Sequence, residues 1–435
     1  MNLTKIKEVF KNNGCSEIYI KELSSNDNSK NQVYLGGNFD ALNIFPISEI
    51  TIDSSGDWKK ERFKASLNFC WITSNGELST APKSQLILYP KYPEVRFSGF
   101  LSGCKNAPSD LMNQRTANRL LLLSVSNDGR IIGFVTSPYS ELAKEFQQNK
   151  PNAKHGIFYI LDLQTKGSNR SLLINELKRI NKLGWIESKR LNKEGQTIPC
   201  NASNCGGYTL EAELGIIPNG ISEPDFLGWE IKQFGVSNFK NIYSKIITLM
   251  TPEPDGGEYK NIGVKDFLKN YGYPDKMGRK DRINFGGVHR VNQKQKTTNL
   301  TLTLIGFDFK QGKIRNSDGR VALVDTNNIE AASWSFASLL KHWNRKHRQA
   351  CYIPSLSEKN PSRKYKYGNK VILGIGTNFG LFLNEMHNGN IYYDPGIKME
   401  NVSTRPKIKR RSQFRVKSGN IPKLYSSYEE INVNE

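Results

Sequence analysis

Between Tyr208 and Phe234 the chain gathers acidic side chains and a lysine in an order that suits cutting phosphodiesters. Asp225 directly follows Pro224, and five positions later comes Glu230-Ile231-Lys232. Side chains alternate faces along a β-strand, so Glu230 and Lys232 share one face and Ile231 takes the other. Upstream, Leu210 and Leu214 are four apart. This spacing predicts a helix that projects Glu211 beside the strand while Glu213 faces elsewhere. Hard carboxylate oxygens suit a magnesium ion, which keeps several waters and bridges protein to phosphate, and a neighbouring ammonium can orient or help deprotonate the attacking water. Taken one at a time these residues have plainer uses: a solvated helix glutamate, a turn aspartate, a lysine flanking an edge strand. One metal site accounts for all four together.

Positioning these groups requires helices and strands in the same region. From Ser171 onward Leu173, Ile174, Leu177 and Ile180 recur at helical spacing, with a stop near Gly184. Further strands are expected at 300–307, 352–353 and 371–375, and helices at 335–343 and 379–386. This half reads as mixed α/β. The first part of the chain instead alternates short apolar runs with Asn-, Asp- and Gly-rich turns, as at Ser126-Asn127-Asp128-Gly129. Strands are expected there at 17–20, 32–35, 63–72, 85–88, 120–124, 131–135 and 157–163, and helices at 3–11, 111–119 and 140–148. The chain is therefore expected to hold a β-rich domain over 1–166 and an α/β (α+β) domain over 167–435, with the boundary near Gly167. Gly374-x-Gly376-x-x-x-Gly380 lacks a dinucleotide-binding context and is expected to serve packing or a turn.

Lys and Arg number 62 against 41 Asp and Glu, a formal charge of +21 on a chain that is 37% hydrophobic. That excess on a foldable chain points to a polyanionic partner. No apolar run reaches membrane-spanning length, no lipidation motif is present, and the N-terminus lacks an apolar signal core, so a cytoplasmic protein with no membrane partner is expected. Cys15, Cys70, Cys104, Cys200, Cys205 and Cys351 lack zinc-knuckle spacing and are expected as reduced, mostly buried thiols.

Two basic stretches are candidates for contact with nucleic acid. Residues 404–418 hold Arg405, Lys409, Arg410, Arg411 and Arg415 and no acidic residue. The arginine fork can bind guanine O6 and N7, while lysines grip phosphate. Residues 271–299 hold Arg279, Arg282, His289 and Arg290 among glycines that allow close backbone approach.

From about Leu172 to the C-terminus the chain resembles the MvaI/BcnI type of restriction endonuclease and, more distantly, the mismatch-repair nickase MutH. The resemblance rests on the Pro-Asp...Glu-x-Lys pattern and on Gly184–Arg190, Ser244–Pro252, Trp334-Ser335-Phe336 and Tyr365-Lys366-Tyr367, in the family's order. It implies a restriction-endonuclease-like fold with a single active site: Asp225 and Glu230 as magnesium ligands, Lys232 positioning or activating water, and Glu211 as a supporting carboxylate. It further implies a monomer acting on double-stranded DNA, leaving 5′-phosphate and 3′-hydroxyl ends, with a cognate DNA methyltransferase in the same system. Where the family carries a His-bearing recognition element, this chain has arginines at 410, 411 and 415. Tyr19–Asp27 with Gln32–Leu35 resembles the opening of the EcoRII DNA-binding effector domain, a β pseudobarrel, and Lys21, Lys30, Lys91, Tyr92, Arg96, Lys105, Arg115 and Arg119 would suit a second DNA contact. The expected function is a magnesium-dependent, sequence-specific type II restriction endonuclease. Two alternatives stay open: a MutH-like strand-nicking endonuclease, and a catalytically inactive DNA-binding protein.

Overall fold

In the computed structural model, which describes all residues except 38–39, 49, 54–61, 90–93, 164–168, 203, 218–223 and 316–317, the chain divides into two units, Met1–Ser168 and Asn169–Glu435. Gly167, where the boundary was expected, lies outside the described residues.

The first unit is built from strands. A seven-stranded sheet runs in the order Lys154–His155, Phe158–Asp162, Glu17–Leu23, Arg119–Val125, Ile131–Thr136, Phe69–Ile72, Leu78–Thr80. A five-stranded sheet runs Val33–Gly37, Glu94–Ser98, Gln85–Tyr89, Arg62–Ser66, Ile50–Asp53. The run Leu120–Leu123 is buried throughout, as a central strand covered on both faces requires. Helices Leu3–Asn12 and Glu141–Gln148 cover one face, burying Ile6, Phe10, Leu142 and Phe146 against Ile18, Ile20, Leu122 and Ile132.

Two local expectations change here. The single strand at 63–72 is two strands, because Leu67 donates its N–H to Ser84 O and Asn68 O accepts from Ile131, which moves the chain from one sheet to the other. The helix at 111–119 is only Ser109–Asn113. Arg119 is fully buried and donates to the carbonyls of Leu111, Thr116 and Asp27 at 2.6, 2.7 and 2.8 Å. These tertiary bonds hold the segment open against its helical propensity.

The second unit centres on a mixed sheet. Strand Gln349–Glu358 is its spine. Strand Glu230–Gly235 runs parallel to it, with Glu230 opposite Ala350 and Lys232 opposite Tyr352. Residues 349–352 also pair with Lys370–Ile375, and 355–358 with Lys364–Tyr367. Pro354 falls where one partner gives way to the other, so its missing N–H breaks no ladder bond and the strand runs far beyond the expected 352–353. Helix Asn169–Lys182 packs Leu173, Leu177 and Ile180 into the core with Leu210, Trp229, Ile231, Ile353 and Leu373. Gly374 packs against the Tyr425 ring and Gly376 turns with φ +75°, which are packing and turn roles.

A correction concerns the cysteines. Cys200 and Cys205 are joined as a disulfide, with Cα atoms 5.8 Å apart, ahead of helix Cys205–Glu213. Their sequence spacing could not reveal it, because the bond depends on the loop folding back to bring both residues into bonding range. Cys15, Cys70 and Cys351 are free and buried.

Candidate active site

Helix Cys205–Glu213 approaches strand Glu230–Gly235 at Gly206, where a Cβ would stand 2.8 Å from the Gln233 amide oxygen. Glycine there lets the Gln233 amide lie against the helix without having to shift. Thr209 ties the helix to the backbone of Lys189, accepting from its N–H at 3.1 Å and donating to its carbonyl at 3.2 Å. Glu213 is used in structure: Lys189 Nζ lies 2.6 Å and Arg179 Nη1 3.4 Å away. Glu211 takes no part in those pairs and is half-buried.

Asp225 reaches the strand through a tight reversal. Phe226 and Trp229 exchange N–H···O bonds of 2.9 and 2.8 Å around Leu227 (φ +50°) and Gly228 (φ +83°). Two successive positive φ values make the hairpin turn whose twist matches the strands it joins. The turn folds Asp225 onto the start of the strand, where Oδ2 accepts from the Ile231 N–H at 2.9 Å. Lys232 and Glu230 are ion-paired, so the two side chains share a face. Lys346, in the last turn of helix Phe336–His347, brings a second ammonium to 3.5 Å from the same Glu230 Oε1. Nothing in the local pattern singles out Lys346, because its approach depends on the parallel pairing of two distant strands.

The electrostatics treat these groups as one cluster. Burial raises the Glu211 pKa, the charge of Asp225 adds to the rise, and Lys232 and Lys346 oppose it. Burial also pushes Glu230 up to about 7, against the pull of Lys232 and Lys346 and with a further push from Asp225. Glu230 is 1% exposed and its Oε2 has no hydrogen-bond partner among the described residues. A buried, unpaired carboxylate oxygen is costly, and a cation removes the cost. The residues therefore fit a divalent ion held by Asp225 and Glu230. Among the described residues no three His, Cys, Asp or Glu side chains form a ready-made cage. Magnesium does not need one, since it takes one or two carboxylates and fills its shell with water and substrate phosphate.

The two basic stretches meet in one four-stranded sheet, in the order Tyr273–Pro274, Arg282–Gly286, Gly396–Glu400, Lys407–Lys409. Arg279, Arg405, Lys409, Arg410 and Arg411 are exposed. Other candidates are already engaged. Arg282 pairs with Asp275 at 3.1 Å and Glu400 at 3.4 Å, Arg415 pairs with Asp394 at 2.6 Å, and Arg290 lies over the Tyr392 ring at 4.8 Å. His289 needs correction as a nucleic-acid contact. It has no exposed surface, stacks on Phe285, and bonds Thr298 Oγ1 at 2.9 Å; burial holds its pKa down at about 4, leaving a neutral core imidazole.

In the first unit a cleft of ≈ 1110 Å³ is lined by Lys30, Arg96, Lys154, Tyr34, Tyr89 and Tyr159 among others. Of the further candidates there, Lys105 and Arg115 are exposed, Lys21 is buried against Asp27, Arg119 is buried, and Lys91 and Tyr92 lie outside the described residues.

A Glu-x-Lys strand in a mixed sheet, flanked by an acidic turn and an acidic helix, fits a nuclease with a restriction-endonuclease fold. The chain belongs to the MvaI/BcnI restriction endonuclease family, whose model matches residues 174–425, more than half of the 435 residues. It is a sequence-specific type II restriction endonuclease. Similar solved structures include the restriction endonuclease MvaI–cognate DNA substrate complex, at 20% identity and TM-score 0.46, covering 61% of this chain and 99% of that one. Restriction endonuclease MvaI in the absence of DNA is similar at 20% identity and TM-score 0.34, covering 62% of this chain and 99% of that one. No curated protein sequence matches the chain. No helix among the described residues is long and apolar enough to cross a membrane.

Proposed function

We propose that the protein is a magnesium-dependent monomeric endonuclease that hydrolyses both strands of a specific double-stranded DNA site to 5′-phosphate and 3′-hydroxyl ends. In this reading it acts in the cytoplasm beside a cognate methyltransferase. The observation that carries the reading is Glu230: a buried carboxylate with one oxygen shared by two ammoniums and the other without a partner among the described residues. Magnesium held by Asp225 and Glu230 would neutralise charge on the transferring phosphoryl group and supply a water of lowered pKa. Lys232 would donate from Nζ to the attacking water and orient it, and Glu211 would act as a supporting carboxylate whose negative charge strengthens cation binding. Exposed Arg279, Arg405, Lys409, Arg410 and Arg411 offer forks and ammoniums to bases and phosphates. The cations and tyrosines of the first unit's cleft support a second contact with duplex DNA, tethering the target near the nuclease.

Supercoiled plasmid incubated with magnesium tests the reading. Linear product supports it. Stable nicked circles favour the strand-nicking alternative, and uncut plasmid with retained binding favours the inactive one. Charge reversal of Lys30 and Lys154 in an Asp225→Ala background tests the cleft, since unchanged DNA affinity removes it from the interface.

A further inference from the structure

We propose that Lys346 is a substrate-binding cation of the active site, contributing the charge that draws the scissile phosphodiester to the metal-loaded centre. This rests on the endonuclease reading above. Helix Phe336–His347 is anchored by buried Phe336, Leu339, Leu340 and Trp343, and the Trp343 indole donates to Thr377 Oγ1 at 3.2 Å. Its last turn leads directly into the strand whose Ala350 pairs with Glu230. Lys346 is thereby delivered to the same end of the sheet at which Glu230 begins its strand. Its Nζ stands 3.5 Å from Glu230 Oε1, and its side chain is 28% exposed against 19% for Lys232. Of the two ammoniums on that oxygen, Lys346 is the more open to a ligand arriving from solvent.

A charge count says why a second ammonium is needed. Ionised Glu211, Asp225 and Glu230 contribute three negative charges, and Lys232 with a divalent ion contributes three positive ones. Among these described groups that sum is neutral, so their net charge does not draw a phosphodiester. With Lys346 the loaded site carries one positive charge, which matches the single negative charge of one phosphodiester. In a partly buried site such a unit charge acts more strongly than in bulk water. An ammonium facing phosphate also releases a counterion from DNA, which makes its contribution visible in the salt dependence of binding.

The test measures binding of a labelled duplex fragment that the wild-type protein cuts, with calcium replacing magnesium, across a series of salt concentrations. Lys346→Gln and Lys346→Met are expected to bind roughly fivefold more weakly, with a log–log salt slope shallower by about 0.9. Lys346→Arg keeps the charge and is expected to retain the wild-type slope. Thermal unfolding of each variant at the wild-type temperature separates charge from packing. Wild-type affinity and slope in both uncharged variants would overturn the proposal, as would an equal loss in Lys346→Arg. A wild-type protein that binds duplex DNA but cuts no plasmid overturns the endonuclease reading instead, and the same slope comparison on a fragment that it binds still reports on Lys346.

Discussion

Asp27 in the first unit and Glu230 in the second are both buried carboxylates beside a lysine, at 5% and 1% exposure, yet their surroundings push them in opposite directions. Asp27 receives Lys21 Nζ at 2.9 Å, the Ser24 N–H and hydroxyl at 3.0 and 3.1 Å, and the Tyr34 N–H at 2.9 Å. Burial alone would raise its pKa, but the Lys21 charge and these bonds hold it below the usual range. Glu230 has two ammoniums on one oxygen and, among the described residues, no partner on the other, and burial pushes it up to about 7. One carboxylate is fully satisfied and braces a loop. The other is left incomplete by the fold, which is the condition of a group that awaits a ligand.

The largest expected effect separates them by activity. Glu230→Gln and Lys232→Ala should each lower plasmid cleavage by at least about 10³-fold, because in the proposed mechanism each removes a charge that acts at the reacting phosphate. Glu230→Gln should leave the unfolding free energy at pH 8 unchanged or higher, as it removes an incompletely paired buried charge. A loss of several kcal/mol in a denaturant titration would erase the distinction between the two carboxylates.

Asp27→Asn is the converse. It leaves the Lys21 ammonium buried without its counter-charge, and the first unit should lose about 3 kcal/mol in denaturant unfolding. Plasmid cut at the wild-type rate per folded molecule would confine the effect to stability.

The pH dependence carries opposite signs. In metal-free protein Glu230 binds a proton more tightly when folded, so its contribution to stability falls as pH rises from 4.5 through about 7. Asp27 binds its proton less tightly when folded, so its contribution is present above pH 3.8 and is lost as pH falls through its lowered value. Denaturation midpoints against pH should lose the first trend in Glu230→Gln and the second in Asp27→Asn. The smallest effect is expected from reducing the Cys200–Cys205 bond. It closes a short loop, so reduction should cost no more than about 2 kcal/mol in unfolding free energy.

The elements around the site were legible because they depend on local periodicity. Alternation along Glu230-Ile231-Lys232, the helical spacing around Glu211 and the apolar stripe of 173–180 all correspond to observed elements. Other features were not legible because non-local pairing decides them. His289 belongs to a basic stretch by composition yet enters the core, where Phe285 and Thr298 hold it. Arg282 and Arg415 look free in sequence but meet acidic partners supplied by other strands. Arg119 cannot extend a helix because its guanidinium binds backbone carbonyls, one of them from Asp27.

The sequence by itself determined the chemical inventory: which carboxylates and which lysine stand in nuclease order, and the excess of positive charge suited to a polyanion. Residue types and short-range periodicity are enough for that. Only the tertiary structure decided that Glu230 is buried with one oxygen unpaired among the described residues, that Lys346 joins Lys232 on the other, and that the two basic stretches share one sheet. Burial and charge pairing are set by which distant strands lie side by side, and no local pattern encodes that adjacency.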